Sequence, residues 1–151
     1  MAKIDDSEKQ VFSVVNQYIK DLSFEAPESP VFFIKEQNKQ PKIQINVQVN
    51  SNSISDDCFD VLLSFNIEAK IDEKVIFILE LSYGGVFRIT NFSKENMPLI
   101  LLVECPRLLF PFVRQIISNT VKDAGFPPLM IDNIDFLKLL KKDKYLKGDT
   151  Y

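Results

Sequence analysis

Two long stretches of strict alternation constrain this chain more than any other feature. Residues 42 to 50 read KIQINVQVN, with Ile43, Ile45, Val47 and Val49 separated by polar residues. Phe59, Val61, Leu63, Phe65, Ile67, Ala69 and Ile71 then keep the alternation over seven odd positions. A period of two puts every one of these side chains on one face of a strand and scatters them around a helix, so both stretches predict strands. The Ser/Asn/Asp cluster between Asn50 and Asp57 supplies the turn, which makes the pair an antiparallel hairpin. Asp72, Glu73 and Lys74 predict a second turn, followed by a third strand from Val75 to Tyr83. Its two faces both read as largely apolar, which implies a cover on each side. Gly84 and Gly85 then interrupt the pattern before Val86 to Thr90 resumes it, so a bulge or sharp bend is expected there.

After Asn91 the period changes. Pro106 is placed as the first residue of a helix of about five turns, along which Leu109, Phe112, Val113, Ile116, Ile117 and Val121 recur at three- and four-residue spacing. Gly125 and Pro127 end it. Pro111 is expected near the first turn, and Leu108 and Phe110 widen the apolar face beyond what one small sheet would cover, which implies a second partner surface. Asp132 or Asn133 is the expected cap of a shorter helix carrying Ile134, Leu137 and Leu140 on one face. Near the N-terminus, Val11, Val14, Val15, Tyr18, Ile19 and Leu22 fit helical spacing although the residue types favour a strand.

Composition narrows the function. At 151 residues, 46% hydrophobic and 26% charged, the chain suits one globular domain. Eighteen Lys and Arg against 21 Asp and Glu give a net charge of −3. Residues 138 to 151 hold five lysines (Lys138, Lys141, Lys142, Lys144, Lys147) against Asp143 and Asp149, a net of +3, so residues 1 to 137 carry −6. An acidic body disfavours nucleic acid and favours a basic protein partner. The absence of histidine excludes imidazole-based catalysis and HExxH metal sites. Cys58 and Cys105 have no CxxC spacing, and two free thiols fit a reducing cytosol. The N-terminus resembles no signal peptide, and the longest apolar runs, Val75 to Leu79 and Leu99 to Val103, fall far short of the roughly 20 residues that span a bilayer. The chain reads as soluble and cytoplasmic.

No motif assembles chemistry. Asp56, Asp57 and Asp60 lack the Gly and distal Glu of a calcium loop and read as a solvated turn. Asp60, Glu68 and Asp72 form no arguable catalytic pair, and Gly84-Gly85 belongs to no phosphate-binding pattern. Cys105 precedes Pro106 with no base nearby in sequence. The expectation is therefore a protein that is not an enzyme and holds neither metal nor cofactor.

Several segments are similar to one family. DLSFEAP at Asp21 to Pro27, ELSYGGVFRI at Glu80 to Ile89, CPRLLFPFVR at Cys105 to Arg114, GFPPL at Gly125 to Leu129 and IDFLKLL at Ile134 to Leu140 resemble the bacterial protein-export chaperone family SecB. The resemblance runs in order from about Phe12 to Leu140. It implies an α+β fold, a four-stranded antiparallel sheet followed by two helices, with the N-terminal segment as the first strand, assembling as a dimer of dimers. It covers a chaperone domain at residues 1 to 140, while the lysine-rich remainder at 141 to 151 reads from its composition as a mobile basic tail. It implies a cytosolic holdase that binds unfolded preproteins without ATP and delivers them to the SecA motor. The client groove is then expected at Phe33, Phe92, Phe126, Phe136, Leu137 and Leu140, and the SecA-binding face at Asp21, Glu25, Ile78 and Glu80. The subunit interface is expected at Leu79, Leu81, Tyr83, Leu109, Phe112, Val113 and Ile116. This sequence departs from the family in having no Trp before Pro41, with two extra residues there, and in having a basic tail. The alternatives are a SecB-like chaperone of a toxin–antitoxin system and, from another class, a small-molecule binder or enzyme using the apolar cavity.

Overall fold

A computed structural model describes residues 9–36 and 38–148, with side chains described through Lys142. Strand β1 (Val11–Glu25) leads through a crossover containing a single helical turn, α1 (Phe32–Lys35), to β2 (Lys42–Ser53), β3 (Cys58–Ile71) and β4 (Lys74–Thr90). The four strands form one antiparallel sheet in the order β1-β4-β3-β2. The helical half follows: α2 (Met97–Leu99), a π-helical turn (Ile100–Glu104), α3 (Cys105–Asp123) and α4 (Phe136–Gly148). The N-terminal segment is thus a strand, as the family resemblance implies and against its helical spacing. In a strand its β-branched residues meet no preceding turn, and β4 supplies a ladder along its whole length.

The alternation in β2 and β3 is realised without a register shift between Lys42↔Lys70 and Ser53↔Phe59. Val61, Leu63, Phe65, Ile67 and Ala69 of β3 lie under the helices with Leu79, Leu81 and Phe87 of β4, and all are buried. Helix α3 covers that face with Leu109, Val113, Ile117 and Val121, four residues apart along a single stripe.

Three expectations are corrected. First, Gly84 and Gly85 sit in unbroken register opposite Leu62 and Val61, so they mark neither a bulge nor a bend. Bulges fall instead at Val15 and Lys20 of β1 and at Ile76 of β4. The glycines serve close approach: a Cβ on Gly84 would lie 2.5 Å from Cζ of Tyr18, and one on Gly85 would lie 2.7 Å from Phe87 and 2.9 Å from Leu109. Second, the doubly apolar look of Val75–Tyr83 comes from the bulge, which buries both Ile76 and Phe77. Beyond it the outer face carries half-buried Ile78 and Ser82 and exposed Glu80.

Third, the helical run starts at Met97, with Pro98 in the N-terminal position assigned to Pro106. Pro106 has no N–H to return to a carbonyl, and the π turn just before it shifts the ladder by one residue, Cys105 N–H bonding the Ile100 carbonyl. Pro111 therefore lies well inside the helix. The second helix is capped by Asp135, whose carboxylate accepts the Lys138 N–H at 3.0 Å. Its backbone is helical to Gly148. Asp149 lies outside the described residues.

Candidate functional site

The crossover and the loop after α3 enclose an apolar cleft of about 680 Å³. Gly125, at φ 97°, ends α3 in the left-handed region. A side chain there would meet the Phe33 ring at 2.9 Å, so glycine lets the crossover close onto the helix end. The next residue, Phe126, is a hub, with ring centroids of Phe77 at 5.2 Å, Phe33 at 5.4 Å, Phe32 at 5.5 Å and Phe24 at 6.4 Å. Phe32, Phe77, Phe126 and Ile43 line the cleft with Pro127, Pro128 and Leu129, and Asn38, Lys39, Gln40 and Pro41 of the crossover close one side. Lys74 at the start of β4 fixes the crossover from below, pairing with Glu36 at 3.6 Å and Glu28 at 3.9 Å on either side of α1.

The six groove residues expected from sequence do not form one surface. Phe33 and Phe126 meet at the aromatic hub. Phe136 is buried edge-on against Phe110 at 6.0 Å, while Leu137 and Leu140 are half-buried on α4, which packs against the π turn. Phe92 packs on the core and does not line the cleft. Phe32, Phe77 and Ile43 were missed. The only signal for them was Phe32 beside Phe33 and the alternation that turns Ile43 toward the helices.

The opposite face of the sheet is polar. Register pairs Asp21 with Ser82, Ser23 with Glu80 and Glu25 with Ile78, so Asp21, Glu25, Ile78 and Glu80 share this outer face. Asp21 and Glu80 border a shallow depression with Asn46, Gln48, Ser64, Asn66 and Ser82. On the same face the Tyr18 hydroxyl donates to Asp60 at 2.7 Å. That hydrogen bond, then burial and the negative charge of Asp60, raise the Tyr18 hydroxyl from 10.0 to about 12.

A third surface is apolar and uncovered within the chain. Phe12, Val14, Ile19 and Leu22 of β1 and Leu108 and Phe112 of α3 are exposed. Ile19 sits opposite Tyr83, whose ring stacks on Phe112 at 6.4 Å. Of the expected interface residues, Leu79, Leu81, Leu109 and Val113 are buried in the chain's own core and have no surface to offer. Tyr83 is 8% exposed, Ile116 is half-buried, and Phe112 is 45% exposed.

The carboxylates that suggested a cation site are engaged otherwise, Asp57 with Arg88 at 3.5 Å and Asp60 with Tyr18. Among the described residues no three His, Cys, Asp or Glu side chains gather as metal ligands. Burial, then the charge of Glu104, raises the Cys105 thiol to about 12. No described helix is long and apolar enough to cross a membrane.

The architecture is thus an antiparallel sheet backed by a long helix, with an open apolar cleft on the helix side and Asp21, Glu25 and Glu80 on the other face. The sequence profile of the family "Preprotein translocase subunit SecB" matches residues 5–145, and the chain belongs to the SecB family of export chaperones. It is 49% identical over 138 residues to a "Protein-export protein SecB" of Bartonella bacilliformis, covering 91% of this chain and 86% of that one. Another, from Mesorhizobium japonicum, is 52% identical over 130 residues, covering 86% and 77%. The fold is also similar to a SecB-like chaperone of Mycobacterium tuberculosis solved with a peptide from the HigA1 antitoxin, with a TM-score of 0.67 at 10% identity, covering 82% of this chain and 90% of that one.

Proposed function

We propose that this chain acts in the cytosol as a homotetrameric holdase, binding unfolded preproteins without nucleotide and delivering them to SecA. The observation that carries the reading is the aromatic-walled cleft of about 680 Å³, open and pre-formed at the crossover. A non-native chain exposes apolar side chains that a folded client buries, and several such clefts in one assembly bind a long chain through many weak contacts. No catalytic step is needed. The uncovered apolar face around Ile19 and Phe112 supports association of subunits, because patches of this kind on a free monomer mark contacts. The outer face with Asp21, Glu25 and Glu80 supports docking of a basic segment of SecA. Identities of 45–52% to export proteins support this role over a toxin–antitoxin one, since the likeness to the mycobacterial chaperone extends to the fold alone.

The test is titration calorimetry of wild type and Glu80→Lys against SecA and against an unfolded preprotein. Glu80→Lys places a like charge opposite a basic partner and should weaken SecA binding while sparing the preprotein. Equal losses for both ligands, or none for SecA, refute the assignment of the face. Aggregation of a denatured preprotein should slow on adding the chaperone without ATP, and a requirement for ATP would refute the holdase reading.

A further inference from the structure

The outer face of the sheet departs from strand propensity in one region. β2 turns Gln44, Asn46, Gln48, Asn50 and Asn52 away from the helices, and β3 sets Asn66 directly opposite Asn46, all of them exposed. Asn is depleted from strands, where Thr or Val holds the ladder better. The carboxamides of Asn46, Gln48 and Asn66 make no hydrogen bond to the protein among the described residues. Beside them the hydroxyls of Ser64 and Ser82 lie 3.2 Å apart and satisfy each other. Register arranges the face in rows across the strands: Ser23, Glu80, Asn66 and Asn46 form one, and Asp21, Ser82, Ser64 and Gln48 the next. A depression of about 530 Å³ follows these two rows from Asp21 on β1 to Asn46 and Gln48 on β2. It therefore has carboxylates at one end and amides without a protein partner at the other. Three strand spacings make it about 14 Å long, and two rows make it about 7 Å wide.

We infer that the docking face for the basic segment of SecA extends across the whole sheet to β2, where Asn46, Gln48 and Asn66 hold the main chain of that segment while Asp21 and Glu80 take its cationic side chains. The inference rests on the SecA-docking reading of the acidic residues. A width of about 7 Å admits an extended chain and is too narrow for a helix of about 10 Å. A length of about 14 Å spans about four extended residues. A carboxamide offers a donor and an acceptor side by side, the complement of a peptide group. It reads neither side chain nor charge, so the carboxylates select the segment and the amides fix it in place. Side chains that serve a strand poorly yet are kept together on one face mark a place where function is expected.

The test is titration calorimetry of the full-length protein against SecA and against an unfolded preprotein, comparing wild type, Glu80→Lys and the double variant Asn46→Ala/Asn66→Ala. The double variant should bind SecA about ten-fold more weakly, the order of effect for two hydrogen bonds between neutral groups, and should bind the preprotein as wild type does. Its loss should persist as salt is raised toward 1 M, where the Debye length falls to about 3 Å and the loss in Glu80→Lys shrinks. Asn46→Val/Asn66→Val, built from stronger strand formers, should show the same loss and so separate it from unfolding. SecA binding that is weakened by Glu80→Lys and untouched in the double variant overturns the inference and leaves the acidic docking face standing. A loss in the double variant that fades with salt, or that is equal for the preprotein, also overturns it. Undiminished SecA binding in Glu80→Lys and the double variant alike overturns the docking face and the inference with it.

Discussion

Replacing Gly84 by Ala should destabilise the sheet through one neighbour, Tyr18. The new methyl would lie 2.5 Å from Cζ and 2.7 Å from the hydroxyl of that ring, well inside contact distance, so the ring must leave its place over β4. Overpacking of this kind costs about 1–3 kcal/mol. Moving the ring also breaks the 2.7 Å bond to Asp60, a further loss of about 1 kcal/mol at a partly exposed site. The stiffer unfolded chain returns about 0.5 kcal/mol, for a net loss of about 1.5–3.5 kcal/mol. Urea unfolding followed by circular dichroism, at one fixed protomer concentration, measures it. In a Tyr18→Ala background the same substitution should cost nothing or stabilise slightly, because the obstructing atoms are gone. An equal cost in both backgrounds refutes the reasoning. The hydrogen bond leaves a pH signature as well: the folded hydroxyl titrates near 12 against 10.0 in the free side chain, so its contribution is complete below pH 10 and is lost as the pH rises toward 12. Tyr18→Phe should remove that part of the alkaline slope.

Three other outcomes are expected. Phe112→Glu should keep the circular dichroism spectrum and shift light scattering toward a smaller assembly, because the side chain is 45% exposed on the uncovered apolar face; an unchanged mass would place the subunit contact elsewhere. Phe126→Ala removes the ring shared by four other phenylalanines and should cost about 3 kcal/mol in urea unfolding, the low end for Phe→Ala because the open cleft lets neighbours collapse; a loss below about 1 kcal/mol would deny it the role of hub. At pH 8 a thiol reagent should label Cys58 in the native protein and reach Cys105, whose thiol is buried and raised to about 12, only after unfolding.

The strands were legible because alternation is a local signal. Ile43 to Val49 and Phe59 to Ile71 declare a buried face one residue at a time, and the register follows from the hairpin. The helix start was not legible, because Pro106 obeys the rule for a first helical residue while a π turn upstream accommodates it, and no residue type announces such a turn. The glycine pair was misread for a similar reason: Tyr18 of β1 and Leu109 of α3, two of the side chains that need the room at Gly84 and Gly85, are remote in sequence. Asp21, Glu25, Ile78 and Glu80 were named together from the family resemblance, and the register of β1 and β4 puts them on one side of the sheet. The cleft was harder. Phe126 and Phe33 meet because Gly125 and the crossover are brought together by the sheet, whereas Phe136 answers to Phe110 in a separate part of the core.

The crossover is moored at two points by different physics. At one, the Lys74 ammonium sits between Glu28 and Glu36; at the other, Phe33 rests on Gly125 and Phe126. Salt weakens the first and leaves the second largely intact. Cooling does the reverse, because burial of apolar surface loses driving force toward low temperature. A cold shock and a rise in ionic strength therefore loosen different contacts of the same segment, the apolar one at Phe33 and the ionic ones that flank it at Glu28 and Glu36. Amide exchange near Glu36 and near Phe33 should therefore rank differently under the two stresses, so that the wall of the cleft answers salt and cold through separate contacts.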